Sequence, residues 1–392
     1  MESPTDPLLT AGAAAGVTDQ SVIETRRTAG AVDPSTGLEL PPADPSPHDG
    51  VSKLESHNDG SVSAGSVGDF SNYSVDLSVD HDNDGRSNQG SDAGPSPSSV
   101  SVSSSLYEFV TENGRTFHKY KEGKYYLPND EQEQNRLDLQ HAISKCLLKG
   151  KPGLAPVHNP RRVLDVGTGT GIWAIEFAEQ NPNSEVLGTD LSPIQPDYLP
   201  PNCRFEIDDV EDEWVFHHKF DYIHARYLLL FVKDWEHVFK SFYDNLNPGG
   251  WAESQEIIIY FQSIDGSIEG TALQRWNKLL LEGIHKMGRS ATEALHCKKW
   301  MTEAGFINID VKKFAVPMNT WAKGREQKAL GAMQMANNLE GVDGLTMTVF
   351  TRSLGWTPAD VEELLVDVKK DMKDRNIHAY ITVVLTWGQK PS

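Results

Sequence analysis

The sequence predicts an open α/β fold: a mostly parallel sheet with helices packed on both faces. Three observations carry that expectation. Arg162-Val163-Leu164-Asp165-Val166 is a β-branched, apolar run of the kind that forms a strand buried on both sides. It runs into three alternating glycines, Gly167-Thr168-Gly169-Thr170-Gly171, and then into Ile172-Trp173-Ala174-Ile175-Glu176-Phe177-Ala178, apolar at helical spacing. Two further short runs, Glu185-Val186-Leu187-Gly188-Thr189-Asp190 and Cys203-Arg204-Phe205-Glu206-Ile207, follow as strands that end beside acids.

The glycine turn is where a ligand meets the chain, because a strand, a tight turn and a helix N-terminus together offer backbone N–H groups. Side chains there would block close approach and disfavour the dihedrals of the turn. A dinucleotide fingerprint reads G-x-G-x-x-G; here the spacing is G-x-G-x-G with Asp165 just ahead of it. That spacing, and the lack of a second nucleotide-binding half, argue against a nicotinamide dehydrogenase. An acid at this point would repel a pyrophosphate and suits a cofactor carrying an amine. Asp190 ends the second strand, placed to accept ribose hydroxyls. Asp208-Asp209-Val210 ends the third. Three strand ends with carboxylates describe a ligand with ribose, adenine and ammonium groups and no phosphate, and S-adenosylmethionine fits.

The elements follow in order. Residues 1–105 are rich in Ser, Asp, Gly and Pro, with few aromatics, and cannot bury enough apolar surface to offset the cost of ordering them. They read as a disordered acidic tail, with Ser-Pro or Pro-flanked serines at Ser46 and Ser96. Residues 106–158 bring aromatics, then Pro128-Asn129-Asp130-Glu131 as a helix start, with Leu137, Ile143 and Leu147 facing a core. This segment reads as an N-terminal helical cover over the cofactor cleft. A Pro/Gly connector at 151–159 leads to the core α/β domain, 159–392. Prolines in Ser192-Pro193-Ile194-Gln195-Pro196 exclude a long helix after the second strand. Phe220-Asp221-Tyr222-Ile223 is a fourth strand, continuing into His224-Ala225-Arg226-Tyr227. Residues 235–246 are helical and stop at Asn247-Pro248-Gly249-Gly250, and Trp251-Ala252-Glu253-Ser254-Gln255-Glu256-Ile257-Ile258 is a fifth strand. Glu253 and Glu256 differ in parity, so at most one faces a given pocket, with Glu256 a possible base. Leu273, Trp276, Leu280 and Ile284 mark a helix within 271–304. The strand at 306–311 is separated from the last, 378–387, by a long insert at 321–376, read as helical with a turn around Gly341 to Gly344.

Composition bounds the partners. The formal charge of −20 over 392 residues is the wrong sign for a general affinity for nucleic acid. Cys146, Cys203 and Cys297 lie far apart without metal spacing and read as reduced thiols. The first residues lack the basic region of a signal peptide, and no apolar run reaches the roughly 18 residues of a spanning helix. The expectation is an intracellular, soluble protein with no membrane or metal role.

The motifs resemble a known family. Tyr126-Leu127-Pro128-Asn129-Asp130-Glu131, the run 163–174, Asp190-Leu191-Ser192-Pro193-Ile194-Gln195-Pro196, Phe205-Glu206-Ile207-Asp208-Asp209, the run 220–226 and Pro248-Gly249-Gly250-Trp251 look like those of LaeA-like fungal methyltransferases. That family is a branch of the class I S-adenosylmethionine-dependent enzymes. The resemblance runs from about Phe117 to the end. It implies a Rossmann-like, seven-stranded, mostly parallel sheet whose last two strands form a hairpin in the usual case. It also implies a cofactor set: Asp165, Gly167, Thr168, Gly169 and Gly171 for the methionine end, Asp190 and Leu191 for the ribose, Asp209 and Val210 for the adenine, His224 on the fourth strand, and Tyr120 or Tyr126 closing from the cover. His224, at the strand end where such enzymes present the methyl group, is the candidate general base or substrate-orienting residue, since imidazole titrates near neutrality.

Substrate motifs of related classes are missing: no Asn/Asp-Pro-Pro-Tyr/Phe follows the fourth strand, Leu228-Leu229-Leu230-Phe231-Val232 holds no paired glutamates, and no Pro-Cys occurs. The methyl acceptor, protein or small molecule, is left open. The resemblance implies a link to regulation of fungal secondary metabolism, with velvet-type proteins as partners and the nucleus or cytoplasm as location. The alternatives are a small-molecule tailoring methyltransferase, with the insert as its lid, and a largely non-catalytic regulatory protein.

Overall fold

The computed structural model describes residues 109–392 apart from Asn113, Glu122, Gly123 and Leu229. The acidic tail, including Ser46 and Ser96, lies outside the described residues.

The described chain opens on a hairpin, β1 (Phe109–Glu112) against β2 (Arg115–His118), in antiparallel register. The sequence reading has only a helical cover here, although Asn113-Gly114 between two short runs rich in β-formers is a hairpin signal. Helix α1 (Glu131–Leu147) follows, capped by Asp130, whose Oδ1 accepts from Glu133 N at 3.0 Å. Arg115 Nη2 donates to the same carboxylate at 2.7 Å and ties the hairpin to the helix.

The main sheet comprises β3 (Arg162–Val166), β4 (Glu185–Asp190), β5 (Cys203–Ile207), β6 (Phe220–Arg226), β7 (Leu246–Ser263), β8 (Ile307–Pro317) and β9 (Ala379–Gln389). Its order is β5-β4-β3-β6-β7-β9-β8. Pairing is parallel from β5 through β7, while β9 runs antiparallel to both β7 and β8. The chain leaves β3 towards β4 and β5, then returns to place β6 on its other side, so a crevice forms between β3 and β6 at their C-terminal ends.

Helices cover both faces. On one, α2 (Ile172–Gln180) packs Trp173, Ala174 and Phe177 on Val163 and Tyr222. On the other, α3 (Trp235–Asn245) buries Trp235, Val238, Phe239 and Phe242, an i, i+3, i+4, i+7 stripe, together with Trp300 and Met301 of α5 (Cys297–Ala304). No α-helix follows β4 or β5 among the described residues, and after β4 the prolines account for it.

Helix α4 (Ala272–Lys286) buries Leu273, Trp276, Leu280 and Ile284 in a second core, shared with α6 (Arg325–Val349) and α7 (Pro358–Lys373). The turn expected around Gly341 to Gly344 does not form; α6 runs through it. The glycines serve packing instead. A Cβ at Gly341 would stand 3.0 Å from Arg136 Cδ, and one at Gly344 would stand 3.4 Å from Pro128, so both let α1 and its leader lie close against α6. No described helix is long and apolar enough to cross a membrane.

Candidate functional site

A cavity opens at the C-terminal ends of β3, β4, β5 and β6, under α1 and a strap at residues 124–127, and continues past β7 to α4 and α6. The glycine turn forms its floor. Gly167, Gly169 and Gly171 have φ of 65°, 59° and 81°, all in the left-handed region. Their tasks differ. A Cβ at Gly167 would collide with Leu228 Cδ2, whereas at Gly169 the nearest neighbour would be Leu137 Cδ1 at 3.7 Å. A side chain at Gly169 would therefore meet only ordinary van der Waals contact, where one at Gly167 would clash. Gly171 does not line the cavity: its missing Cβ makes room for the Phe205 ring, so it seats α2 on β5.

Asp165 sits at the centre. Its Oδ2 accepts from Thr168 Oγ1 at 2.6 Å and its Oδ1 lies 2.7 Å from His224 Nδ1. A carboxylate can only accept here, so Nδ1 carries a proton, and in the neutral ring Nε2 holds a lone pair. That Nε2 is buried, has no hydrogen-bond partner among the described residues, and belongs to a ring on the cavity wall. The imidazole is held flat against Trp173, with ring centroids 3.8 Å apart and planes 3° from parallel.

Asp190 accepts from Gly169 N through Oδ2 at 2.8 Å and from Ser192 N through Oδ1 at 2.9 Å. Burial raises its carboxyl above the usual range, against the pull of those N–H groups. Each oxygen keeps a second lone pair for a ligand. Leu191 and Val210 line the cavity beside it.

Two candidates sit differently from the sequence expectation. The Asp209 carboxylate is buried and engaged by Lys121 at 2.6 Å and by Lys124. Burial raises this carboxyl, but the two ammonium groups and Glu211 N outweigh it and hold it below its ordinary value. Neighbouring Asp208 also lines the cavity, without a lysine partner among these bonds. Tyr120 is not brought to the cavity. The chain turns through a left-handed Lys121, φ 49°, and Tyr120 ends up beneath the Lys121 ammonium, while Tyr125 lies on the wall with its ring 4.2 Å from that of Phe231. Tyr126 is buried in the core and donates to Leu230 O.

Glu253 and Glu256 do take different faces, and neither lines the cavity. Glu253 accepts from Leu154 N and Ala155 N at 2.8 and 2.7 Å, and Glu256 from Leu228 N at 3.2 Å. Both hold backbone in place, which removes Glu256 as a base.

Three wall residues escape the sequence reading. Arg226 donates to His141 Nδ1 at 3.0 Å, and burial lowers both groups, with Arg226 pressing His141 further down to about 4. Tyr227, strained at φ 58°, pairs its hydroxyl with Ser144 Oγ at 2.9 Å. The signal for Arg226 was present: it stands two residues beyond His224 and so shares its face. His141 and Tyr227 gave none.

Comparison with known proteins now adds to the geometry. The methyltransferase-domain family matches residues 131–311. Methyltransferase pytC of Aspergillus terreus is 39% identical over 298 residues, 75% of this chain and 92% of its own length. Secondary metabolism regulator laeA of Aspergillus fumigatus is 34% identical over 307 residues, 76% of this chain and 82% of its own. Protein-methionine methyltransferase laeA of Emericella nidulans is 33% identical over 291 residues, 72% and 77% respectively.

Proposed function

This chain belongs to the methyltransferase family of pytC and laeA, in the class I S-adenosylmethionine-dependent group, and we propose that its active centre is the crevice between β3 and β6. The protein is thus a methyltransferase linked to secondary metabolism. The observation that carries the placement is the convergence, in one cavity, of the Gly169 turn, the Asp190 carboxylate and the partnerless Nε2 of His224.

These residues fit S-adenosylmethionine. The absence of a side chain at Gly169 admits a ligand against backbone, Asp190 retains lone pairs for ribose hydroxyls, and buried Nε2 lacks a donor that an ammonium or a substrate hydroxyl would supply. The cofactor, when bound, supplies a methyl group already activated on its sulfonium.

The chain's own residues then align, shield and manage a proton. Thr168 and Asp165 fix the turn and set the His224 tautomer, and His224 receives or orients the acceptor's proton through Nε2. We assign Asp208 and Val210 to the adenine edge. Asp209, with its lysines, instead clamps the strap over the cleft. Tyr125 and Leu137 help exclude water above it.

Labelled S-adenosylmethionine added to a native cell extract tests this reading, with Gly169→Asp as the blank. Label transferred by the wild type alone supports it; equal labelling by both removes the crevice from the mechanism.

A second reading is regulatory, since one relative is described as a secondary metabolism regulator; for it we propose the velvet-type partner proteins and the nuclear or cytoplasmic location that the sequence resemblance implies, with the acidic tail as contact segment. A truncation starting at Leu106 that keeps full biological activity removes the tail from that role.

A further inference from the structure

The cavity has two halves of different chemistry. Among the described residues its wall carboxylates, Asp165, Asp190, Asp208 and Asp209, come from the ends of β3, β4 and β5, in the half assigned to the cofactor. The other half, beyond Arg226 and Tyr227, is walled by Ile257, Ile259 and Phe261 of β7, Trp276 of α4, and Val342 and Leu345 of α6. Trp276 presents only its ring, because its indole N–H is consumed by Thr346 Oγ1 at 2.8 Å.

Polar character in this half comes from one face of α6 and from Arg136 of α1. Arg136, fixed by Glu133 at 2.7 and 3.0 Å, donates to Asn337 Oδ1 at 2.8 Å. That contact orients the Asn337 amide and leaves its NH2 as the group it can offer. Gln334, one turn earlier, donates through Nε2 to Asn338 Oδ1 at 2.8 Å and so offers its carbonyl. Both side chains are buried, where an amide without a partner is costly.

From the apolar walls and this oriented donor and acceptor we infer that the methyl acceptor is a small, mostly apolar molecule bearing a carbonyl and a hydroxyl, taken whole into this half of the cavity. The inference rests on the methyltransferase reading and narrows it. A lysine or arginine side chain would bring a cation into a half whose described wall holds no carboxylate, Arg136 being already paired with Glu133, a placement that desolvation opposes.

The test is calorimetric titration of the full chain, saturated with S-adenosylhomocysteine, with 6-hydroxy-2-acetonaphthone, whose hydroxyl and carbonyl cannot bond to each other, and with N-acetyl-lysine amide and N-acetyl-methionine amide. The naphthone is expected to bind and the two amides are not. Asn337→Leu is expected to weaken the naphthone about three- to tenfold, the worth of one hydrogen bond, with S-adenosylhomocysteine affinity unchanged. Gln334→Leu gives the same readout should Asn337→Leu fail to fold. Binding of either amide in preference to the naphthone, or unchanged naphthone affinity in a folded variant, overturns the inference and leaves the methyltransferase reading standing. A wild type that does not bind S-adenosylhomocysteine overturns that reading itself.

Discussion

Asp165 and His224 face each other across neighbouring parallel strands, in register, with carboxylate oxygen and Nδ1 2.7 Å apart. The pairing follows from the sheet: β3 and β6 are adjacent at the switch point, and both residues project to the α2 face, where Trp173 covers the imidazole. Both groups are buried, so each satisfies the other, and the tautomer this imposes points a lone pair from Nε2. One pair of side chains therefore links the glycine turn, through Thr168, to the cavity wall.

His224→Ala is expected to lower turnover by about 100-fold, the low end for loss of a general base, while S-adenosylhomocysteine affinity changes little. Steady-state kinetics and a binding isotherm on the same preparation check it. Equal losses in both would make His224 a cofactor-binding residue without proton transfer.

Gly171→Ala should destabilise the fold by roughly 1–3 kcal/mol, because the new methyl meets the Phe205 ring and the residue holds a left-handed φ. Thermal unfolding measures it. Pairing the change with Phe205→Leu should recover part of the loss; no recovery would attribute the whole effect to the backbone.

His141 gives the protein an acid-side liability. Burial, then the Arg226 charge, hold its folded value at about 4, below the roughly 6.5 of an unfolded imidazole. Between these values the unfolded chain binds a proton that the folded chain does not, so stability falls as pH drops from about 6.5 to 4, by up to roughly 3 kcal/mol in total, and levels off below. Denaturant unfolding across that range should show the slope, and His141→Gln should flatten it.

The strap clamp has its own acid dependence. Asp209 is held below its ordinary value by Lys121 and Lys124, so its contribution is present above the normal carboxylate range and is lost as pH falls through the folded value. Asp209→Asn should speed proteolytic cleavage within residues 119–127 at neutral pH. An unchanged cleavage rate would remove the clamp from the account.

What was legible in the sequence is what local chemistry dictates. The glycine turn and the strand ends at Asp165 and Asp190 follow from period, turn residues and spacing, and the seven-stranded sheet from the family resemblance. The division of labour within the site does not. Nothing local reveals that Asp209 will meet lysines 85 and 88 residues upstream, that Gly171 will seat against Phe205, or that Asn337 will be oriented by Arg136 201 residues away. Gly341 and Gly344 read as a turn because their reason for being glycine is a contact with α1, which only the tertiary packing discloses.

The central claim is that the glycine turn binds S-adenosylmethionine, and a titration of wild type and Gly169→Asp with S-adenosylhomocysteine tests it most directly. The new carboxylate would add bulk at the turn, strain a left-handed φ and stand beside Asp190, whose oxygen accepts from the residue 169 N–H. The account predicts saturable binding by the wild type and none by a variant that still unfolds cooperatively. Normal binding by the variant would contradict it.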